Sequence, residues 1–229
     1  MSSTITGPWR KPTNTSADEK GGIHNDDTAQ DLGFQGGTIA GSIHMEQFPP
    51  LLVEHFGEDW WARGGMSLYF KHATVDHEPV RCLLEATADN SARIWMENEA
   101  GALVMEGTAS LGEDAESEVR KRLATVRAPG DLRMMAEVTI GQPSPQCPVL
   151  IPNESIDERL TVITEPMDCY TDSSRYGGRV AQIAPFVHAF RCVEPHFIPV
   201  SGPYFVLFGA IELQYLNGPV VAGRDYLAL

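Results

Sequence analysis

Two stretches of this chain, 141 residues apart, share one layout, and that recurrence constrains the fold more than any other feature. Phe34-Gln35-Gly36-Gly37-Thr38-Ile39-Ala40 is echoed by Arg175-Tyr176-Gly177-Gly178-Arg179-Val180-Ala181. In each, a Gly-Gly pair leads into an apolar segment of helical length. Further on, Gly65-Met66-Ser67-Leu68-Tyr69-Phe70 is echoed by Ala210-Ile211-Glu212-Leu213-Gln214-Tyr215, now at an offset of 145. The chain therefore reads as an internal duplication of one helix-then-strand unit, with a few residues inserted between the matches. Such a unit has an apolar helix and a one-sided sheet, which must bury their apolar faces against each other.

Residues 1–22 are rich in Ser, Thr, Gly, Lys and Pro and read as an N-terminal arm. From Thr38 to Phe56 the apolar residues Ile39, Ile43, Phe48, Leu51, Leu52 and Phe56 recur at mainly helical spacing, which predicts a helix bent or restarted at Pro49-Pro50. Met66–Val75 and Val80–Ala88 read as strands, and Ala92–Glu97 with Ala102–Leu111 as a hairpin closed at Asn98-Glu99-Ala100-Gly101. This is the pattern of an antiparallel sheet wrapped round a long helix. Acids precede bases across 113–127, as suits a short exposed helix and its dipole. The Pro-rich run from Gly141 to Pro152 reads as a connector, Glu158–Thr164 as a strand and Val180–Cys192 as a second apolar helix. The expected organisation is an arm (1–22), a first repeat (23–112), a linker (113–152) and a second, shortened repeat (153–229).

The formal net charge of −14 argues against nucleic acid as a partner, since phosphate neutralisation needs a basic face. It argues equally against anionic membrane surfaces, although a local Lys/Arg cluster could still serve an anionic small molecule. No apolar run approaches the ~18 residues that span a bilayer, and the N-terminus lacks a basic-then-apolar leader. A cytoplasmic protein without membrane contact is expected. Cys82, Cys147, Cys169 and Cys192 form no C-x-x-C pair and read as free thiols. His72 and His77 lack a metal-ligand partner set, and P-loop and G-x-G-x-x-G patterns are absent, so no cofactor and no metal are expected.

The densest chemistry lies in residues 23–41. His24 and the carboxylates Asp26 and Asp27 come first, then Ala29-Gln30-Asp31-Leu32-Gly33-Phe34, then Gly36-Gly37 and Gly41 with His44 three residues on. Histidine shuttles protons near neutral pH, and a nearby carboxylate can orient it or share a water. A helix starting near Thr38 would expose N–H groups and its positive dipole end to a carbonyl oxygen. The glycines could equally let the helix pass close to a sheet. Asp26 and Asp27 suit either catalysis or capping of a helix over 27–33, and His44 either a pocket wall or a satisfied buried position. Trp60-Trp61, with Phe56 and Tyr69, could wall a pocket or fill a core.

This order resembles the segment before the central helix in MaoC-like hot-dog proteins, the (R)-specific enoyl-CoA hydratases and their relatives. Those proteins carry Asp-x-Asn-Pro-x-His, His-x-Asp and Ala-x-x-x-Gly-Phe. Here His24 takes the place of the family histidine, and Glu19 stands five residues before it in place of the Asp. Gly21-Gly22 replaces Asn-Pro, and His24-Asn25-Asp26 and Ala29–Phe34 follow with one residue deleted. The resemblance implies an α+β double hot-dog, an antiparallel sheet around long central helices, and a homodimer or higher homo-oligomer. It implies a hydro-lyase adding or removing water at an α,β-unsaturated acyl thioester or related carbonyl compound, including polyketide-like substrates. On that reading His24 is the acid/base, helped by Glu19 or Asp26, while Gly36, Gly37, Gly41 and His44 bind substrate. No histidine precedes Gly177-Gly178, so one active site per chain is expected. A repurposed hot-dog isomerase, cyclase or thioesterase stays open, as does a non-catalytic acyl- or small-molecule-binding module.

Overall fold

The computed structural model describes residues 4–18, 22–128, 130–131, 139, 141–172, 175–197 and 207–229. The first half runs β1 (Thr4–Thr6), α1 (Asp26–Asp31), α2 (Gly41–Met45), α3 (Pro49–Phe56), α4 (Trp60–Arg63), β2 (Gly64–Phe70), β3 (Val80–Ala88), β4 (Ser91–Asn98) and β5 (Leu103–Leu111). Helix α5 (Glu118–Ala124) follows. The second half runs β6 (Cys147–Leu150), α6 (Asn153–Leu160), a 3-10 turn at Asp168–Tyr170, α7 (Ile183–Phe190), a second 3-10 turn at Arg191–His196, β7 (Ala210–Gln214) and β8 (Asp225–Ala228).

The helix expected over Thr38–Phe56 is two helices, for two local reasons. Thr38 bridges to Val75, and Ile39 N–H donates to the Thr74 carbonyl at 2.9 Å, so the chain stays extended until Gly41. Pro49 and Pro50 cannot continue an N–H ladder but suit a first turn, and there α3 begins. The strand expected over Met66–Val75 accordingly ends at Phe70, and Thr74-Val75 meets the chain before α2 instead. The strand expected at Glu158–Thr164 is also corrected: α6 occupies 153–160 and buries Ile156 and Arg159 on one face. The β-branched residues Thr161, Val162, Ile163 and Thr164 come only after that helix. Strand β6 falls inside the segment read as connector and pairs with β8.

One six-stranded antiparallel sheet has the order β1-β3-β4-β5-β2-β7, and β6-β8 forms a second. The halves share connections as well as sequence. β1 pairs with β3 as β6 pairs with β8. The Thr38–Val75 bridge recurs as Val180–Val221, and the bond from Ile39 N–H to Thr74 O recurs from Ala181 to Val220, each at 2.9 Å. In the β2–β7 register Ser67 lies opposite Glu212, the residue 145 positions on. That pair marks where an axis relating the halves would pass.

The inner sheet face (Met66, Leu68, Leu84, Ile94, Met96, Met105) packs on Met45, Phe48 and Leu52 of the helical layer and on Trp60 and Trp61. Tyr170, Val180, Ile183, Leu213 and Tyr215 of the second half join the same cluster, so the halves share one core. Each large apolar side chain fully buried there contributes about 1.5–3 kcal/mol. Trp60 and Trp61 are core residues, both wholly buried.

Candidate functional site

A cavity of about 980 Å³ opens between the halves. The first half contributes His24, Phe34, Thr38–His44 and Phe70–Thr74 to its wall, and the second half Ile151, Arg159, Val187, His188, Phe208 and Ile211.

His24 sits on the loop before α1 and is pinned on both sides. Ile23 O accepts from Thr38 N–H at 2.9 Å, and His24 O accepts from Asn14 Nδ2 at 2.8 Å. Its ring Nδ1 lies 2.7 Å from the Thr38 carbonyl. A carbonyl can only accept, so Nδ1 carries a proton, and in the neutral form of the ring the basic lone pair is on Nε2. A half-buried base, fixed in tautomer and placed on a cavity wall, can take a proton from water or from carbon and return it.

The neighbouring glycines and carboxylates divide into two groups. Asn25, not an aspartate, caps α1, its side chain accepting from Thr28 N–H. Asp26 accepts from Gly37 N–H at 2.6 Å, which clamps the Gly-Gly loop beneath the histidine. A Cβ on Gly37 would lie 2.2 Å from His24 O, so only glycine lets the two backbones meet. Asp26, Gly36 and Gly37 are absent from the cavity wall, and the Gly37 N–H is already bonded. Gly41 lies on the wall, where a Cβ would meet the Phe70 ring at 2.5 Å. The main-chain N–H groups of Gly41 and Ser42, in the first turn of α2, have no hydrogen-bond partner among the described residues. Glu19 lies outside the described residues.

His44 is also on the wall, almost fully buried. Gln47 Nε2 donates to its Nδ1 at 3.3 Å, so its Nε2–H donates to Thr74 Oγ1 at 2.6 Å. Burial holds its pKa at about 3, so it is neutral at physiological pH. The Thr74 hydroxyl, likewise on the wall, keeps its own proton to offer.

The second half has no imidazole in the matching place. Cys169 O accepts from Val180 N–H at 2.8 Å as Ile23 O does from Thr38, which puts Tyr170 where the first half has His24. Arg179 Nε donates to the Tyr170 carbonyl at 2.8 Å, the part played by Asn14 at His24. Tyr170 is wholly buried edge-on to Trp61, and burial pushes its phenol well above the ordinary range.

One feature escaped the sequence reading. Glu46, fully buried at the end of α2, takes Arg159 Nη2 at 2.5 Å and Nε at 2.6 Å on one oxygen. Its other oxygen accepts from Ala184 N–H at 3.4 Å. Burial pushes the Glu46 carboxyl up, and the Arg159 charge and hydrogen bonds pull against it. The pair ties α2, α6 and α7 together, and Arg159 forms part of the cavity wall. The sequence signal was an acid between the core-facing Met45 and Phe48.

No family model matches the chain, and no curated protein sequence is similar to it. Solved structures are. A conserved hypothetical protein of Mycobacterium tuberculosis, described as having a double hot-dog fold, superposes with a TM-score of 0.60 at 10% identity, covering 99% of this chain and 82% of that one. A MaoC-like dehydratase gives 0.55 at 12% identity over 97% of this chain and 85% of its own. A MaoC domain dehydratase of Chloroflexus aurantiacus gives 0.51 at 11% over 85% and 70%. The fold is the α+β double hot-dog, and it is shared with MaoC-like dehydratases. Among the described residues no cluster of His, Cys, Asp and Glu could hold a metal, and no helix is long and apolar enough to cross a membrane.

Proposed function

We propose that this chain is a hydro-lyase of the MaoC-like type, adding or removing water at an α,β-unsaturated acyl thioester or a related carbonyl compound. The observation that carries the reading is His24: a tautomer-fixed imidazole on the wall of a cavity large enough for an acyl group. In the hydration direction Nε2 takes a proton from water as its oxygen bonds to the β-carbon. The electron pair of the double bond moves toward the carbonyl, and the resulting imidazolium gives its proton to the α-carbon. The N–H groups of Gly41 and Ser42 would hold the enolate oxygen, where preorganised donors lower the barrier. Gly36, Gly37 and Asp26 act on the site indirectly by seating the histidine, and His44 positions the Thr74 hydroxyl.

The test is turnover of a panel of trans-2-enoyl-CoA esters, read as loss of enoyl-thioester absorbance. General acid–base catalysis by one side chain is worth about 10²–10⁴-fold, so His24→Ala should lose at least about a hundredfold. Equal rates in the two proteins would remove His24 from the chemistry. Inactivity of both on every ester would remove hydration of CoA substrates.

A second reading has its own support. Among the described residues the partner of His24 is a carbonyl and not a carboxylate. A reaction needing one proton-handling group, such as isomerisation or cyclisation of a specialised metabolite, fits that arrangement as well as hydration does. Homo-oligomeric assembly remains part of the proposal, checked by light scattering on the eluting protein.

A further inference from the structure

We propose that Cys147 and Cys192 are a modification site: a dithiol at the rim of the cavity that closes reversibly to a disulfide. Cys147 is the first residue of β6, and Cys192 lies in the 3-10 turn that follows α7. The Cys147 Sγ donates to the Cys192 carbonyl at 3.8 Å across a sequence gap of 45 residues. The two thiols also act on each other. Burial first, then the charge and hydrogen bond of the Cys192 thiol, push the Cys147 thiol up. Both residues are half-buried and free, within reach of a small reagent.

The other two cysteines are placed differently. Cys82 is buried in the core, its thiol raised well above the ordinary range by burial, and burial pushes Cys169 up to about 12. No other cysteine is among the groups that act on either of them, so neither has a partner thiol to close with, and both should stay reduced while Cys147 and Cys192 react.

The oxidant is a disulfide such as oxidised glutathione. One thiol of the pair loses its proton and attacks a glutathione sulfur, releasing one glutathione thiolate and leaving a mixed disulfide. The second thiol loses its proton and attacks the protein sulfur of that bond, releasing the other thiolate. Two protein thiols are oxidised and one glutathione disulfide is reduced to two thiols. Neither cysteine is on the cavity wall, but residues near them in sequence are: Leu150 at the end of β6, Arg191 just before Cys192, and His188 four residues before it. The bond would tie the end of α7 to β6 and fix that side of the mouth.

The experiment equilibrates the folded chain in glutathione buffers of increasing oxidised fraction, alkylates free thiols after acid quench and maps peptides by mass. The expected result is one cross-link, Cys147 to Cys192, with a loss of two hydrogens, reversed by dithiothreitol. Cys82 and Cys169 should remain alkylated throughout. Cys147→Ser and Cys192→Ser, near-isosteric changes, should each abolish the cross-link. Four alkylated thiols in the most oxidising buffer, a glutathione adduct that never resolves, or a cross-link through Cys82 or Cys169 would each overturn the proposal. Because neither cysteine is in the proposed reaction, the result stands apart from the fate of the hydro-lyase reading.

Discussion

Gly37 and Gly41 stand four residues apart, and each would suffer a clash from an added methyl group, but the groups in the way differ in kind. At Gly37 the obstacle is a backbone carbonyl, His24 O at 2.2 Å, held in turn by Asn14. A carbonyl so anchored cannot turn aside, so the loop must move and His24 must move with it. Overpacking of this sort costs about 1–3 kcal/mol. Gly37→Ala should therefore lower the thermal midpoint and depress turnover together. At Gly41 the obstacle is the tip of the Phe70 ring, which can rotate toward the cavity. Gly41→Ala should cost less stability, yet occupy ligand space and raise KM. Calorimetry and steady-state kinetics on the two variants separate the cases, and equal losses of stability would refute the distinction. The sequence marked both glycines but could not say why each is needed. Their obstacles, His24 O and Phe70, come from residues 13 and 29 positions away.

The buried pair between α2 and α6 has the same lesson at the scale of elements. Glu46 and Arg159 are 113 residues apart, so no local pattern links them. Of the first-half strands β4 shows the clearest alternation, with Ala92, Ile94, Met96 and Asn98 facing inward, whereas β2 is buried at five successive residues. The register of Cys82–Met96 and Met66–Ala109 then follows from which residues share the inner face. The second half was less legible because its strands, four or five residues each, have few positions to alternate. Removing one partner of a buried ion pair leaves an uncompensated charge, which costs about 3–5 kcal/mol. Arg159→Met alone should thus destabilise the chain strongly. The double change Glu46→Leu with Arg159→Met should recover much of that loss, since no charge is left stranded. Urea unfolding of both proteins measures it. A double variant as weak as the single one would mean that the tie between α2, α6 and α7 needs the ions themselves.

At the scale of the whole molecule two buried groups set opposite limits on the pH range of stability. Glu165 is 1% exposed, at the place where the N-terminal arm, α2 and the second half meet. Arg10 donates to the neighbouring Thr164 carbonyl, and the Glu46 charge acts on Glu165 from α2. Burial first, then Glu46, push its carboxyl up to about 7 against the pull of the Thr164 hydroxyl bond, Arg10 and Arg159. The folded state thus holds a proton that the unfolded state releases near the ordinary 4.5. Wherever the folded state binds more protons, stability falls as pH rises. Between 4.5 and 7 this removes about 3 kcal/mol, at 1.36 kcal/mol per pKa unit. His44 acts in the other direction. Its folded pKa of about 3 lies below the ordinary 6.5, so stability is lost as pH falls below 6.5. The sum is a dome with its top between about 4.5 and 6.5, the interval in which neither group is fully penalised. Self-repulsion of a chain at −14 also weakens it at higher pH, so the alkaline limb alone identifies nothing. Glu165→Gln separates the two contributions, because it removes the titrating proton and leaves the surface charge in place. In the wild type the two slopes offset each other between pH 4.5 and 6.5; in the variant only His44 acts there, so stability should climb from 4.5 to 6.5, and the fall between 6.5 and 7 should shrink to the shallow slope of surface repulsion. A Glu165→Gln profile still level between pH 4.5 and 6.5 would show that the carboxyl at the junction of the halves is not the group that titrates there.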